Sequence, residues 1–164
     1  MANNTKKIVC VHELTICPDC SRAEVVIDRS YDIPYISGYS TDGHVIYISR
    51  RLPRKFITTT GITVRADPYL IIHEVVEKSC MDFLAMGYNE AHNIALAAET
   101  SRLLKDHIPP DEYYGFIWRE FDILQQQENV SRVPKDLDIR PYQEDQRQDL
   151  VEWIRQCQLR SKSK

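Results

Sequence analysis

The segment Tyr69-Leu70-Ile71-Ile72-His73-Glu74-Val75-Val76-Glu77 carries three ionisable side chains in a stretch that is otherwise almost wholly apolar. Apolar residues surround the first two turns instead of forming one stripe, which predicts a buried helix. Isolated ionised carboxylates in a dry core cost several kcal/mol unless something compensates them. A bound divalent cation would compensate two of these groups at once. His73 and Glu77, at i and i+4, stand on one face ~6 Å apart and can converge on one ion. Glu74 lies about 100° round the helix. That puts it beside such an ion without necessarily binding it, where a general base for an activated water belongs. This is the mechanical logic of H-E-x-x-H, with Glu77 in place of the second His. Carboxylate oxygen is an accepted zinc ligand, and catalytic zinc takes three protein ligands plus water. The expected cofactor is therefore Zn²⁺ or another divalent transition metal.

A third ligand must come from a neighbouring element. The segment Tyr88-Asn89-Glu90-Ala91-His92-Asn93-Ile94-Ala95 offers His92, and His92, Leu96, Glu99 and Leu103 share one helical stripe. His92 and Glu99 stand two turns apart, ~10 Å along the axis, so one ion does not take both directly. The reading favours His92 as ligand and Glu99 as the partner that holds an imidazole in its tautomer. Glu90 is a substitute ligand.

These residues need elements to position them. Ile8–Val11 and Glu24–Ile27 are short β-branched runs. Pro34–Tyr39 and His44–Ser49 flank Asp42-Gly43, a hairpin signal. Phe56–Thr59 and Ile62–Arg65 flank Thr60-Gly61 in the same way. At Asp67 the period changes: Asp67 suits an N-cap, Pro68 the first helical position, and Gly87 the position past the end. Asn89 caps a second helix to about Lys105, and its alanines let another helix approach. A third runs from about Asp111 to Gln126, with Tyr114, Ile117, Trp118 and Phe121 reading as core. Residues 130–141 read as an extended connector, and a last helix spans about 143–159, with Leu150, Trp153, Ile154 and Cys157 as its core stripe. The expected fold is a single α+β domain: 1–66 mainly β, as a small antiparallel sheet of two hairpins, then 67–159 with about four helices, then a frayed basic tail, 160–164.

Composition narrows the classes. With 21 Lys+Arg against 24 Asp+Glu, the net charge of −3 disfavours a generic polyanion binder. No apolar run reaches the ~20 residues of a membrane span, and Met1–Lys7 lacks the apolar stretch of a secretory signal. The odd count of five Cys points to a reducing, cytoplasmic compartment. Cys17 and Cys20, with Cys10 upstream, admit a structural metal, though the second pair of a zinc ribbon is missing; Cys80 and Cys157 read as core. Arg50, Arg51, Arg54 and Lys55 form a basic loop that reads as solvated. It leaves a nucleic-acid-associated module as an alternative, with nucleic acid not the expected partner.

A hairpin, a helix with His73-Glu74-Val75-Val76-Glu77 and a second helix with a ligand together resemble the minimal core of the zincin metallopeptidases, the gluzincin branch especially. The usual gluzincin has two His on the first helix and a Glu on the second; here Glu77 and His92 exchange those types. Tyr31-Asp32-Ile33-Pro34-Tyr35 and Val64-Arg65-Ala66-Asp67-Pro68 also resemble segments of uncharacterised bacterial and phage proteins. The resemblance covers roughly Tyr31 to Leu104. It implies a zinc-dependent, peptidase-like hydrolase acting on a peptide or protein, with Glu74 as base and the metal activating water. It also implies substrate held along an edge strand, for which His44-Val45-Ile46-Tyr47-Ile48 is the expected choice. An oxyanion partner would come from Tyr88, Tyr113, Tyr114 or His44. The other class of reading is a non-catalytic, metal-stabilised accessory or interaction protein.

Overall fold

The structure, a computed structural model, describes residues 7–11, 23–125 and 132–160. Strands come first: β1 (Lys7–Val11), β2 (Ala23–Asp28), β3 (Ser37–Tyr39), β4 (Val45–Ile48), β5 (Lys55–Ile57) and β6 (Thr63–Arg65). Helices follow: α1 (Asp67–Phe83), α2 (Tyr88–Lys105), α3 (Pro110–Gln125), α4 (Arg140–Glu144) and α5 (Gln148–Arg160). The chain is therefore α+β, as its periodicities predict.

Both hairpins are antiparallel. Gly43 and Gly61 turn them at φ 74° and 83°, a left-handed conformation that costs glycine no Cβ clash. The sheet around the first hairpin is mixed, which the hairpin pattern does not predict. β2 runs parallel to β4, with Val26 opposite Val45, and the strand order is β1-β2-β4-β3. The connection 29–36 is long enough to carry the chain past the place that β4 then fills, so β2 and β4 point the same way.

Strand alternation gives the sheet two buried faces. Val25, Ile27, Tyr39, Ile46 and Ile48 join the main core with α1, α2 and α3. Tyr47 and Ile33 join a second core with Val133, Leu137, Tyr142, Val151, Ile154 and Cys157. Cys80 and Cys157 are buried, as expected of core positions.

Helix ends depart from the local signals for tertiary reasons. Ala66, not Asp67, is the N-cap of α1. The Asp67 carboxylate instead pairs with the guanidinium of Arg29, itself buried, which no local cap could neutralise. α1 ends at Phe83, with Ala85 in the left-handed region at φ 51° and the Met86 amide bonded to the Cys80 carbonyl. Gly87 is the N-cap of α2, in place of Asn89. The first amide of α2, that of Tyr88, donates across the chain to Glu144. Fully buried Ala91 and Ala95 let α2 lie close to α1. The expected last helix is broken: Gln146, at φ 57°, separates α4 from α5. The break lets Tyr142 sink into the second core.

Candidate metal centre

α1 and α2 bring His73, Glu77 and His92 to one point. His73 Nε2 lies 3.1 Å from His92 Nδ1. Glu77 Oε2 lies 2.9 Å from His92 Nδ1 and 3.5 Å from His73 Nε2. Four ligands at zinc distances of about 2.0–2.2 Å stand about 3.3–3.6 Å apart on a tetrahedron, close to these separations. Among the described residues this is the His/Glu set able to hold an ion. His73 and Glu77 meet because i and i+4 stack on a helix; His92 joins because Ala91 and Ala95 bring its helix close.

The far side of His73 is also engaged. Nδ1 lies 3.1 Å from Glu99 Oε2, which fixes Nε2 as the nitrogen facing the centre. Glu99 accepts from Tyr113 on Oε1 and, at 3.4 Å, from Tyr114 on Oε2. Glu77 Oε1 accepts from the Tyr39 hydroxyl at 2.9 Å, and Glu74 Oε1 accepts from the Ser37 hydroxyl at 2.6 Å.

Electrostatics favour positive charge at this centre. Glu74, Glu77 and Glu99 are buried at 6%, 4% and 3% exposure. Burial opposes the charged form of His73, but bonds to Glu77 and Glu99 outweigh it and raise the imidazole to about 10. Burial likewise opposes ionisation of Glu77, yet His73 and His92 hold its carboxyl down to about 2. Burial, then the charge of Glu77, pushes Glu74 up to about 8. A divalent cation meets the same demand for positive charge, so the donor set fits one. Glu74 is the buried carboxylate beside that set and outside the ligand triangle.

The site opens on a cavity of about 770 Å³, within the range of ligand pockets. His73, Glu74, Glu77 and His92 line one side, and Leu96, Tyr114, Ile117, Trp118 and Phe121 line another. The α3 stripe that reads as core in the sequence is therefore also a cavity wall, and Trp118 is 62% exposed. Nothing in its period separates an apolar residue facing a core from one facing a cavity.

The substrate-edge expectation needs correction. β4, with Val45, Ile46, Tyr47 and Ile48, lies inside the sheet between β2 and β3. The edge is β3, and Ser37, Gly38 and Tyr39 line the cavity. Hairpin sequence does not reveal which arm finds a second neighbour. His44 is exposed at the turn. Glu90 is exposed on α2 and outside the ligand triangle. Of the oxyanion candidates, Tyr113 and Tyr114 serve Glu99, while Tyr88 lines the cavity with its ring 5.3 Å from that of His92.

The basic loop is tied down by acids. Arg50 and Arg51 bond Asp32 at 2.8 and 3.0 Å, and Arg54 reaches Asp67 at 3.8 Å. The proposed thiolate site of Cys10, Cys17 and Cys20 lies outside the described residues, apart from the backbone of Cys10 on β1, as does the tail beyond Arg160. No helix among the described residues is long and apolar enough to cross a membrane.

Ser37 and Tyr39 were not among the sequence candidates. Their signal was weak: two hydroxyls at strand spacing in an arm otherwise marked only by its turn. No protein-family model matches the chain, and comparison with curated proteins and with solved structures finds no match.

Proposed function

We propose that the chain is a metal-dependent hydrolase of peptide-like amide bonds, with zinc the favoured ion. One observation carries the reading: three donor atoms of His73, Glu77 and His92 stand 2.9–3.5 Å apart beside a carboxylate, Glu74, that lines the same cavity. His73, Glu77 and His92 would hold the ion, and Glu99 fixes the tautomer of His73. When bound, the ion supplies Lewis acidity, lowering the pKa of water and polarising a carbonyl. Glu74 accepts the proton of the attacking water and carries it to the leaving amine. Tyr88 is the hydroxyl best placed to face the developing oxyanion. The edge strand β3 and the apolar wall of α3 favour an extended peptide over a small polar metabolite. The odd cysteine count favours a reducing, cytoplasmic setting.

Elemental analysis of purified wild type beside His73→Ala tests the metal. About one equivalent of a transition metal is expected in the wild type and little in the variant. Glu74→Gln should keep the metal and lower turnover of a quenched-fluorescent peptide library by roughly 10²–10⁴-fold. Metal-free wild type would overturn the reading. Metal-loaded wild type without turnover would favour a structural site in a non-catalytic interaction protein, which the stapling of α1 to α2 also supports. Binding to nucleic acid that weakens steeply with salt and on replacing Arg50, Arg51 and Arg54 would favour the nucleic-acid reading.

A further inference from the structure

The edge strand holds both carboxylates that α1 presents to the cavity. Ser37 and Tyr39 lie two residues apart on one face of β3, and Glu74 and Glu77 lie nearly one turn apart on α1. Two strand residues span about 6.7 Å and three helical residues rise about 4.5 Å; the reach of the side chains makes up the difference, and each hydroxyl meets one carboxylate. Ser37 Oγ donates to Glu74 Oε1 and Tyr39 Oη to Glu77 Oε1. The Tyr39 oxygen also lies 3.2 Å from the Met81 sulfur, but a carboxylate is much the better acceptor. Glu77 keeps its other oxygen, Oε2, toward His73 and His92. A carboxylate tethered by one oxygen cannot turn the other away.

Tyr39 is itself packed in the core and under a cation. It is 1% exposed, and the Lys78 ammonium stands 5.1 Å above its ring. Lys78 is held in turn by the Thr41 carbonyl at 2.8 Å, Asp138 at 2.9 Å and Asp82 at 3.0 Å. The tether therefore runs from the β3–β4 turn, through a cation and a ring, to Oε1 of Glu77, the oxygen that does not face the imidazoles. Gly38, between the two hydroxyl residues, faces the opposite side, where a Cβ would come within 3.1 Å of Leu137.

We infer that β3 sorts the two carboxylates of α1: Tyr39 is a positioning residue that presents Glu77 as a ligand, and Ser37 is a positioning residue that holds Glu74 outside the ligand set. This rests on the metal-site reading above, and it assigns to one strand the division between ligand and base.

The test uses the full chain stripped of metal and reloaded with zinc in competition with a chromophoric chelator, with cobalt absorption as a second readout. Tyr39→Phe keeps the ring beneath Lys78 and removes one oxygen. It should weaken zinc binding roughly 10- to 100-fold and alter the visible cobalt bands. Ser37→Ala should keep zinc affinity close to wild type but shift the cobalt bands, because Glu74 is then released toward the metal; unchanged bands would overturn the role given to Ser37. Circular dichroism checks that each variant is folded, and Glu77→Asp stands beside Glu77→Gln as a second ligand variant. Wild-type zinc affinity in Tyr39→Phe, with Glu77→Gln and Glu77→Asp both weakened, would overturn the positioning role alone. Loss of affinity in Ser37→Ala as large as in Tyr39→Phe would overturn the sorting. Wild-type affinity in both Glu77 variants would instead remove the metal-site reading itself.

Discussion

Glu99 sits 3% exposed on α2, yet its two oxygens serve groups from two other helices, His73 of α1 and Tyr113 and Tyr114 of α3. An imidazole that donates from Nδ1 to a carboxylate is a better ligand through Nε2. Glu99→Gln is expected to lower zinc affinity roughly 10- to 100-fold, read by chelator competition; unchanged affinity would argue that His73 does not bind through Nε2. Ser37 acts on the neighbouring carboxylate. A hydrogen bond to a charged group is worth about 1.5–3 kcal/mol, so Ser37→Ala should lower kcat about 10-fold or more while KM holds. Ser37→Thr, which keeps the hydroxyl, should restore it. A fall in KM alone would contradict the assignment.

The contact between α1 and α2 is the element on which the site depends. Two of the proposed ligands come from α1 and one from α2, and Ala91 and Ala95 on α2 are both without exposed surface. Ala95→Leu forces extra methylenes into that contact and should cost about 1–3 kcal/mol in a urea titration. It should also weaken zinc binding, because His92 moves while His73 and Glu77 stay together on one helix. Ala97→Leu, on the exposed side of the same helix, should change neither. Equal effects of the two substitutions would show that helix separation does not control the site.

At the scale of the whole molecule, one ion network, buried at Lys78 and Asp138 and partly exposed at Asp82 and Arg140, joins α1 to the last third of the chain. Lys78 of α1 bonds Asp138, which also takes the guanidinium of Arg140, and Arg140 returns to Asp82 of α1. Burial raises the Asp138 pKa, but its bonds to Arg140 and Lys78 outweigh that, so the net shift is downward. A carboxyl held below its unfolded value adds stability that is present above the ordinary carboxylate range. That stability is lost as pH falls through the folded value. Thermal midpoints should therefore decline on acidification below the ordinary carboxylate pKa. Asp138→Asn should cost about 1.5–3 kcal/mol at neutral pH, because Lys78 keeps only Asp82 and the Thr41 carbonyl, and flatten that decline. An acid limb unchanged in the variant would assign it to other carboxylates.

What the sequence determined by itself is what depends on local period. The i, i+4 spacing fixes His73 and Glu77 on one face, and Glu74 off it, wherever the helix goes. The stripe on α2 likewise fixes His92 and Glu99 on one side of their helix. The change of pattern at Asp67 divides strands from helices for the same reason: short-range backbone geometry decides it. Tertiary structure alone decided which partners those faces meet. It made β3 the sheet edge in place of β4, since strand neighbours are chosen by long-range pairing. It drew Asp67 from its cap to Arg29, because a buried guanidinium needs a countercharge more than a helix end needs a side chain. It turned the α3 stripe into a cavity wall, and it set Ser37 and Tyr39 against the two carboxylates, a pairing that exists only once the two elements are packed.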